Sequence, residues 1–190
     1  MSKPSDKRLW NLPNQITLLR LVLAVVVFVL LELQVYRVAL VLFVIAAATD
    51  WLDGFLARRW GLITQLGRIL DPFADKIIIC GTFIILCAEP RALLPSWVVV
   101  LVVGRELFVT ALRGFLEQQG QDFSAGMSGK LKMVAQCAAA TASLLLMTFA
   151  PSDVPSWLPG VIHATVAITV LLTIVSGVAY TVAALRLLRA

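Results

Sequence analysis

Ligands for soft metals and partners for disulfides are scarce in this chain, which has one histidine and three cysteines in 190 residues. Cys80, Cys87 and Cys137 all fall inside apolar runs. There a thiol reads as a small hydrophobe, so neither a disulfide framework nor a thiolate metal site is expected. His163 stands alone near the start of an apolar run and reads as an interfacial residue, not a ligand. Charge is scarce too. Charged residues make up 14% of the chain and hydrophobic ones 60%, with a mean hydropathy of +0.93. That balance excludes a soluble domain and predicts a polytopic membrane protein. The formal net charge is +5. The basic residues sit at the ends of apolar runs and form no soluble basic face, which suits lipid headgroups or phosphates and argues against nucleic acid. Internal repeats and low-complexity segments are also lacking.

The apolar runs predict an all-α, six-helix transmembrane bundle forming a single membrane domain over 1–190. Residues 1–15 are polar and mixed, and with Lys3, Lys7, Arg8 and Trp10 they suit an interfacial segment. The bundle then occupies 16–190, with spans over 16–33, 36–58, 68–88, 95–117, 130–150 and 161–185. The first run is long and no small-residue cleavage site follows it, so it reads as a retained span. Of the sixteen Lys and Arg residues, only Arg37 and Arg91 lie by the loops after the first and third spans. The positive-inside rule then places both termini on the cytoplasmic side of the inner (plasma) membrane.

Against this apolar background, Asp50, Asp53, Asp71 and Asp75 stand out. Residues three and four apart are neighbours on a helix, so 50, 53, 54 and 57 share one face, and 67, 71 and 75 share another. Two antiparallel helices would bring both carboxylate pairs to one gap. An Asp at mid-membrane costs about 2.5–3.5 kcal/mol, so four deep ones cost on the order of 10 kcal/mol. A divalent cation would offset that, and oxygen-only ligands favour Mg²⁺ or Mn²⁺. The plainer reading has these residues capping helix ends in water, and Asp71-Pro72 fits a first helical turn. Gly54, Ala57 and Gly67 leave room on the same faces for a bulky group. Near the start of the chain, Asn14, Thr17 and Arg20 share a helical face. They read either as an N-cap and a snorkelling arginine or as substrate-facing groups.

The spacing D-x2-D-G-x2-A-R-x8-G-x3-D-x3-D, complete from Asp50 to Asp75, resembles the signature of the CDP-alcohol phosphotransferases. The stretch from Pro13 to Arg20 is similar to that family's N-terminal pattern P-N-x2-T-x2-R. The resemblance implies an integral membrane enzyme, commonly a homodimer, that transfers a substituted phosphoryl group from a CDP-linked donor to an alcohol and releases CMP. It assigns Asp50, Asp53 and Asp71 to a metal. Asp75, alone or beside a second metal ion, becomes the general base that activates the acceptor hydroxyl. Gly54, Ala57 and Gly67 would accommodate the cytidine diphosphate, with Arg58 at its phosphates and Asn14 and Thr17 on the donor side.

The acceptor is addressed by the second half of the chain. Arg105, Arg113, Lys130 and Lys132 fall at the cytoplasmic ends of the fourth and fifth spans, with only Glu106 and Glu117 close in sequence. This reads as an anion pocket or as positive-inside bias alone. The run from Arg105 to Arg113 and the run Gly129-Lys130-Leu131-Lys132 resemble the bacterial phosphatidylglycerophosphate synthases. That resemblance implies CDP-diacylglycerol as donor and sn-glycerol 3-phosphate as acceptor, and phospholipid biosynthesis as the context. Within the family, a cardiolipin synthase or an inositol-phosphate synthase is the alternative. Outside it, intramembrane carboxylates suit a cation transporter, but no second acidic cluster continues a path across the membrane.

Overall fold

The computed structural model describes residues 12–60, 65–118 and 127–189. The side chains of 50–60 and 65–72, and a few near other segment ends, lie outside that description. Among the described residues the chain is all-helical. Its elements are α1 (Leu12–Glu32), α2 (Tyr36–Trp60), α3 (Gln65–Cys87), α4 (Ser96–Gln118), α5 (Met127–Met147) and α6 (Leu158–Arg189). Short 3₁₀ turns at Pro90–Ala92 and Pro151–Asp153 lie in the connections after α3 and α5.

The observed bounds follow the predicted runs with two informative differences. Residues 12–15, expected in the interfacial segment, already belong to α1, and the rest of that segment, 1–11, lies outside the described residues. α5 starts at Met127, before the expected Lys130, so Ser128 and Gly129 form part of its first turn. A glycine near a helix end costs only about 1 kcal/mol, which the apolar run after it readily overrides.

The structure divides into two compact units, residues 1–85 and 86–190. In the first, α1 packs on α2. The buried face of α1 is Thr17, Arg20, Ala24, Val27 and Leu31, alternating three and four residues apart. On α2 the buried stripe is Ala39, Phe43 and Ala46. The three-residue turn between these helices closes as a Schellman motif. Gln34 takes a left-handed conformation (φ 59°), Val35 N–H donates to Leu30 O at 2.8 Å, and Gln34 N–H donates to Leu31 O at 3.0 Å. On α3, Gly81 seats the ring of Phe28 from α1, because any Cβ at 81 would overlap that ring.

In the second unit, α6 packs on both α5 and α4. The α5 face is rich in small buried residues, including Ala135, Ala139, Ala140 and Ser143, which let helix backbones approach closely. The facing stripe of α6 is Ile162, Val166, Thr169, Thr173, Ser176 and Tyr180. Arg91, in the connection before α4, donates to Phe149 O at 2.9 Å and ties that connection to the end of α5.

The outer surfaces are apolar. Val100 of α4 is 72% exposed and Val134 of α5 is 68% exposed, and Val22, Val25 and Val29 project from α1. Among the described residues, α6 is the one helix whose long uninterrupted apolar run, Leu158–Leu187, passes as a membrane span by length and composition. Elsewhere the apolar runs are shorter, such as Tyr36–Thr49, which ends where Asp50 enters α2.

Candidate active site

The predicted donor and metal residues map onto two helices of the first unit. Asp50, Asp53, Gly54, Ala57 and Arg58 fall on the last turns of α2, and Gly67, Asp71 and Asp75 on the first turns of α3. Both segments are helical throughout, so the one-turn spacing of each carboxylate pair, on which the reading of the motif depends, is present in the backbone. The side chains of all these residues except Asp75 lie outside the described part of the structure, as does that of Asn14 on α1.

Asp75 is anchored. Its Oδ1 accepts from Arg20 Nη1 at 2.8 Å, and the arginine side chain is 3% exposed against 26% for the aspartate. Arg20 therefore does not snorkel to an interface. It lies on the buried face of α1, one turn from Thr17, which is itself buried. A charge-assisted bond of this kind is worth roughly 1.5–3 kcal/mol, and a buried arginine needs such a partner to offset its desolvation. The polar face of α1 thus supports the carboxylate assigned as the base. Its signal in the sequence was the three-residue spacing of Asn14, Thr17 and Arg20.

The predicted acceptor cations lie in the second unit. The structure brings Arg105 of α4 and Lys132 of α5 together on one carboxylate, Glu106. Arg105 Nη1 reaches Glu106 Oε1 at 3.2 Å, and Lys132 Nζ donates to the same oxygen. All three side chains are 8–9% exposed. Stranding one member of such a buried ionic group typically costs about 3–5 kcal/mol, and the three side chains link α4 to α5. The cations are nonetheless not fully used. Arg105 Nε and Nη2 and Arg113 Nε are buried and have no hydrogen-bond partner among the described residues. A buried N–H of a charged group left this way costs about 1–3 kcal/mol or more, and an oxyanion supplied by a ligand would remove that cost. Arg113 lies two turns beyond Glu106 on α4, and the side chain of Lys130 lies outside the described residues.

Two contributors escaped the sequence reading. Glu106 was seen only as a neighbouring negative charge, whereas it joins two helices. Tyr180 of α6, one of two tyrosines in the chain, lies under Arg105 with its ring centre 5.3 Å from the guanidinium carbon. A polar-tipped aromatic in a long apolar helix was the available hint. The three cysteines form no disulfide and are half-buried, less enclosed than the buried hydrophobes their apolar surroundings suggested. A groove of about 760 Å³ lies at the other end of α6, lined by Leu94, Trp97, His163, Val166, Val170 and Ile174 among others. None of the predicted donor or acceptor residues lines it.

The sequence profile of the CDP-alcohol phosphatidyltransferase family matches residues 10–178, most of the chain. The chain belongs to this family. Among curated CDP-alcohol phosphatidyltransferases it is 35% identical to the CDP-diacylglycerol–glycerol-3-phosphate 3-phosphatidyltransferase of Bacillus subtilis (strain 168), over 90% of this chain and 94% of that protein. The proteins of the same name from Salmonella typhimurium (strain LT2) and Yersinia pestis (strain Pestoides F) are 38% and 37% identical, over 68% and 66% of this chain and 74% and 72% of theirs. The profile spans the α2–α3 motif, the α4–α5 cations and most of α6 alike.

Proposed function

We propose that this CDP-alcohol phosphatidyltransferase moves the phosphatidyl group of CDP-diacylglycerol to sn-glycerol 3-phosphate, giving phosphatidylglycerophosphate and CMP. The observation that carries the choice of acceptor is the buried Arg105–Glu106–Lys132 group with unpartnered guanidinium N–H bonds, in a chain whose relatives are named for that reaction. A phosphomonoester dianion is the kind of ligand such a site lacks.

In this reading Arg105, Arg113 and Lys132, with Lys130, hold the acceptor's phosphate. Asp75, kept in place by Arg20, takes the proton of the acceptor hydroxyl as its oxygen attacks the lipid-bearing phosphorus. The bond from that phosphorus to the CMP oxygen breaks, and CMP leaves. Gly54, Ala57 and Gly67 give the donor's nucleotide access to the helix surface, Arg58 meets its phosphates, and Asn14 and Thr17 serve the donor side. The carboxylates of Asp50, Asp53, Asp71 and Asp75, at one-turn spacing in sequence, would supply an all-oxygen donor set, the chemistry that suits a hard cation such as Mg²⁺ or Mn²⁺. When bound, that ion supplies charge neutralisation at the pyrophosphate.

The acceptor is tested by metal-supported release of CMP from CDP-diacylglycerol by the purified protein. Glycerol 3-phosphate is expected to support release, and phosphatidylglycerol and inositol phosphate are not. Turnover with phosphatidylglycerol alone would replace this reading by that of a cardiolipin synthase.

All six helices are taken to cross the membrane. The support is their length, at 21–32 residues each, about 30 Å or more at 1.5 Å per residue. Their outward apolar side chains fit lipid. The positive-inside charge pattern supports an orientation with both termini on the cytoplasmic side of the inner membrane, and the chain is taken to act as a homodimer, as the family resemblance implies. In a background without the native cysteines, a cysteine at Gly120 is expected to react with an impermeant thiol reagent only from the cytoplasmic side. One at the exposed Ser152 should react only from the other side. The opposite labelling would invert the topology.

A further inference from the structure

Arg105 is held on two sides. Its Nη1 donates to Glu106 at 3.2 Å, and its guanidinium carbon lies 5.3 Å from the centre of the Tyr180 ring. Its Cγ also lies beside Gly177 of α6, where even a Cβ would be in ordinary van der Waals contact at 3.5 Å. What remains is the edge formed by Nε and Nη2, buried and without a partner among the described residues. These two N–H groups point the same way and are the pair that grips two oxygens of a tetrahedral oxyanion at once. The carboxylate holds one end of the fork and the ring lies beneath the guanidinium carbon, so the unpartnered edge is held in a set orientation.

We propose that Tyr180 is a positioning residue of the acceptor site, its ring holding the Arg105 guanidinium so that the Nε–Nη2 edge meets the acceptor's phosphate. The proposal rests on the reading of Arg105 as a phosphate ligand. An unsupported arginine has several torsions to order when a ligand arrives, and a guanidinium already resting on a ring has fewer. Tyr180 lies outside the α2–α3 motif and the basic runs of α4 and α5, on a helix whose sequence is otherwise generic for a membrane span. Its contribution falls on acceptor binding and leaves the donor alone.

The test uses the full-length protein in lipid nanodiscs, with KM measured separately for glycerol 3-phosphate and CDP-diacylglycerol. Tyr180→Met removes the ring while filling much of its volume. It is expected to raise the KM for glycerol 3-phosphate about 3- to 30-fold. The donor's KM and kcat at saturating acceptor should stay within about two-fold. Tyr180→Phe keeps the ring and should restore most of the acceptor affinity. A trifluorinated phenylalanine at 180, nearly isosteric but with a weaker ring face, should lie between Phe and Met, which keeps the test open should the Met variant not fold. Arg105→Ala separates the two levels. If it raises the acceptor's KM while Tyr180→Met and the fluorinated ring do not, the positioning role is wrong and the acceptor reading stands. Loss of kcat and of both affinities in a folded Tyr180→Met protein would assign the tyrosine to packing and overturn the proposal. If Arg105→Ala and Tyr180→Met both leave the acceptor's KM unchanged, the acceptor reading fails as well.

Discussion

Asp50→Asn and Asp53→Asn are each expected to lower the rate of CMP release by more than about 100-fold, since losing even an outer-shell partner of a metal site costs 10–100-fold. Asn has the volume of Asp and keeps one acceptor oxygen, so the helical backbone of α2 has no reason to change. What is lost is a formal negative charge one turn from its neighbour, and with it the main attraction for a divalent cation. Excess EDTA should silence the wild-type enzyme in the same way, and Mg²⁺ or Mn²⁺ should restore it. Melting temperatures measured in parallel separate lost chemistry from lost fold. Full activity of either variant, or of the wild type in excess EDTA, would contradict the metal reading while leaving the helical framework untouched.

Arg113→Ala carries the second large effect. Arg113 lies on α4 with a buried Nε that has no partner among the described residues, two turns beyond the Glu106 that joins Arg105 and Lys132. A charge-assisted hydrogen bond to a phosphate is worth roughly 1.5–3 kcal/mol, which converts to a rise of about 10- to 150-fold in the KM for glycerol 3-phosphate. The KM for CDP-diacylglycerol should move little. Arg113→Lys should recover only part of the loss, because an ammonium is a point charge and cannot grip two oxygens in one plane. A variant that weakened the donor and spared glycerol 3-phosphate would show that the cation pocket had been assigned to the wrong substrate.

The one-turn spacing of the carboxylates was legible before any coordinates because it is local. Carboxylates three and four residues apart share a helix face wherever the helix goes, and α2 and α3 are helical through Asp50, Asp53, Asp71 and Asp75. The meeting of Arg105 and Lys132 at Glu106 joins two helices, so local spacing does not specify it. The use of each charge was not legible either. Arg20 had two readings open to it, snorkelling or facing a substrate, and the structure shows neither: it pairs with Asp75, 55 residues away. Nothing in the local pattern of α1 specifies that partner. Glu106 likewise counted as one negative neighbour until Lys132 of another helix proved to share its oxygen with Arg105.

The sequence by itself determined the helical class, the family, the carboxylate ladder and the basic character of the second half. Each of these depends on residue type and on spacing within a few turns of one chain segment. The tertiary structure decided which charges meet. Arg20 is committed to Asp75, Glu106 bridges two cations, and Tyr180 of an otherwise generic helix supports Arg105. Those pairings depend on how closely helices approach. The approach of α5 and α6 is set by buried small residues such as Ala139 and Ala140 on α5. Their effect on a charge far along the chain has no counterpart in local periodicity.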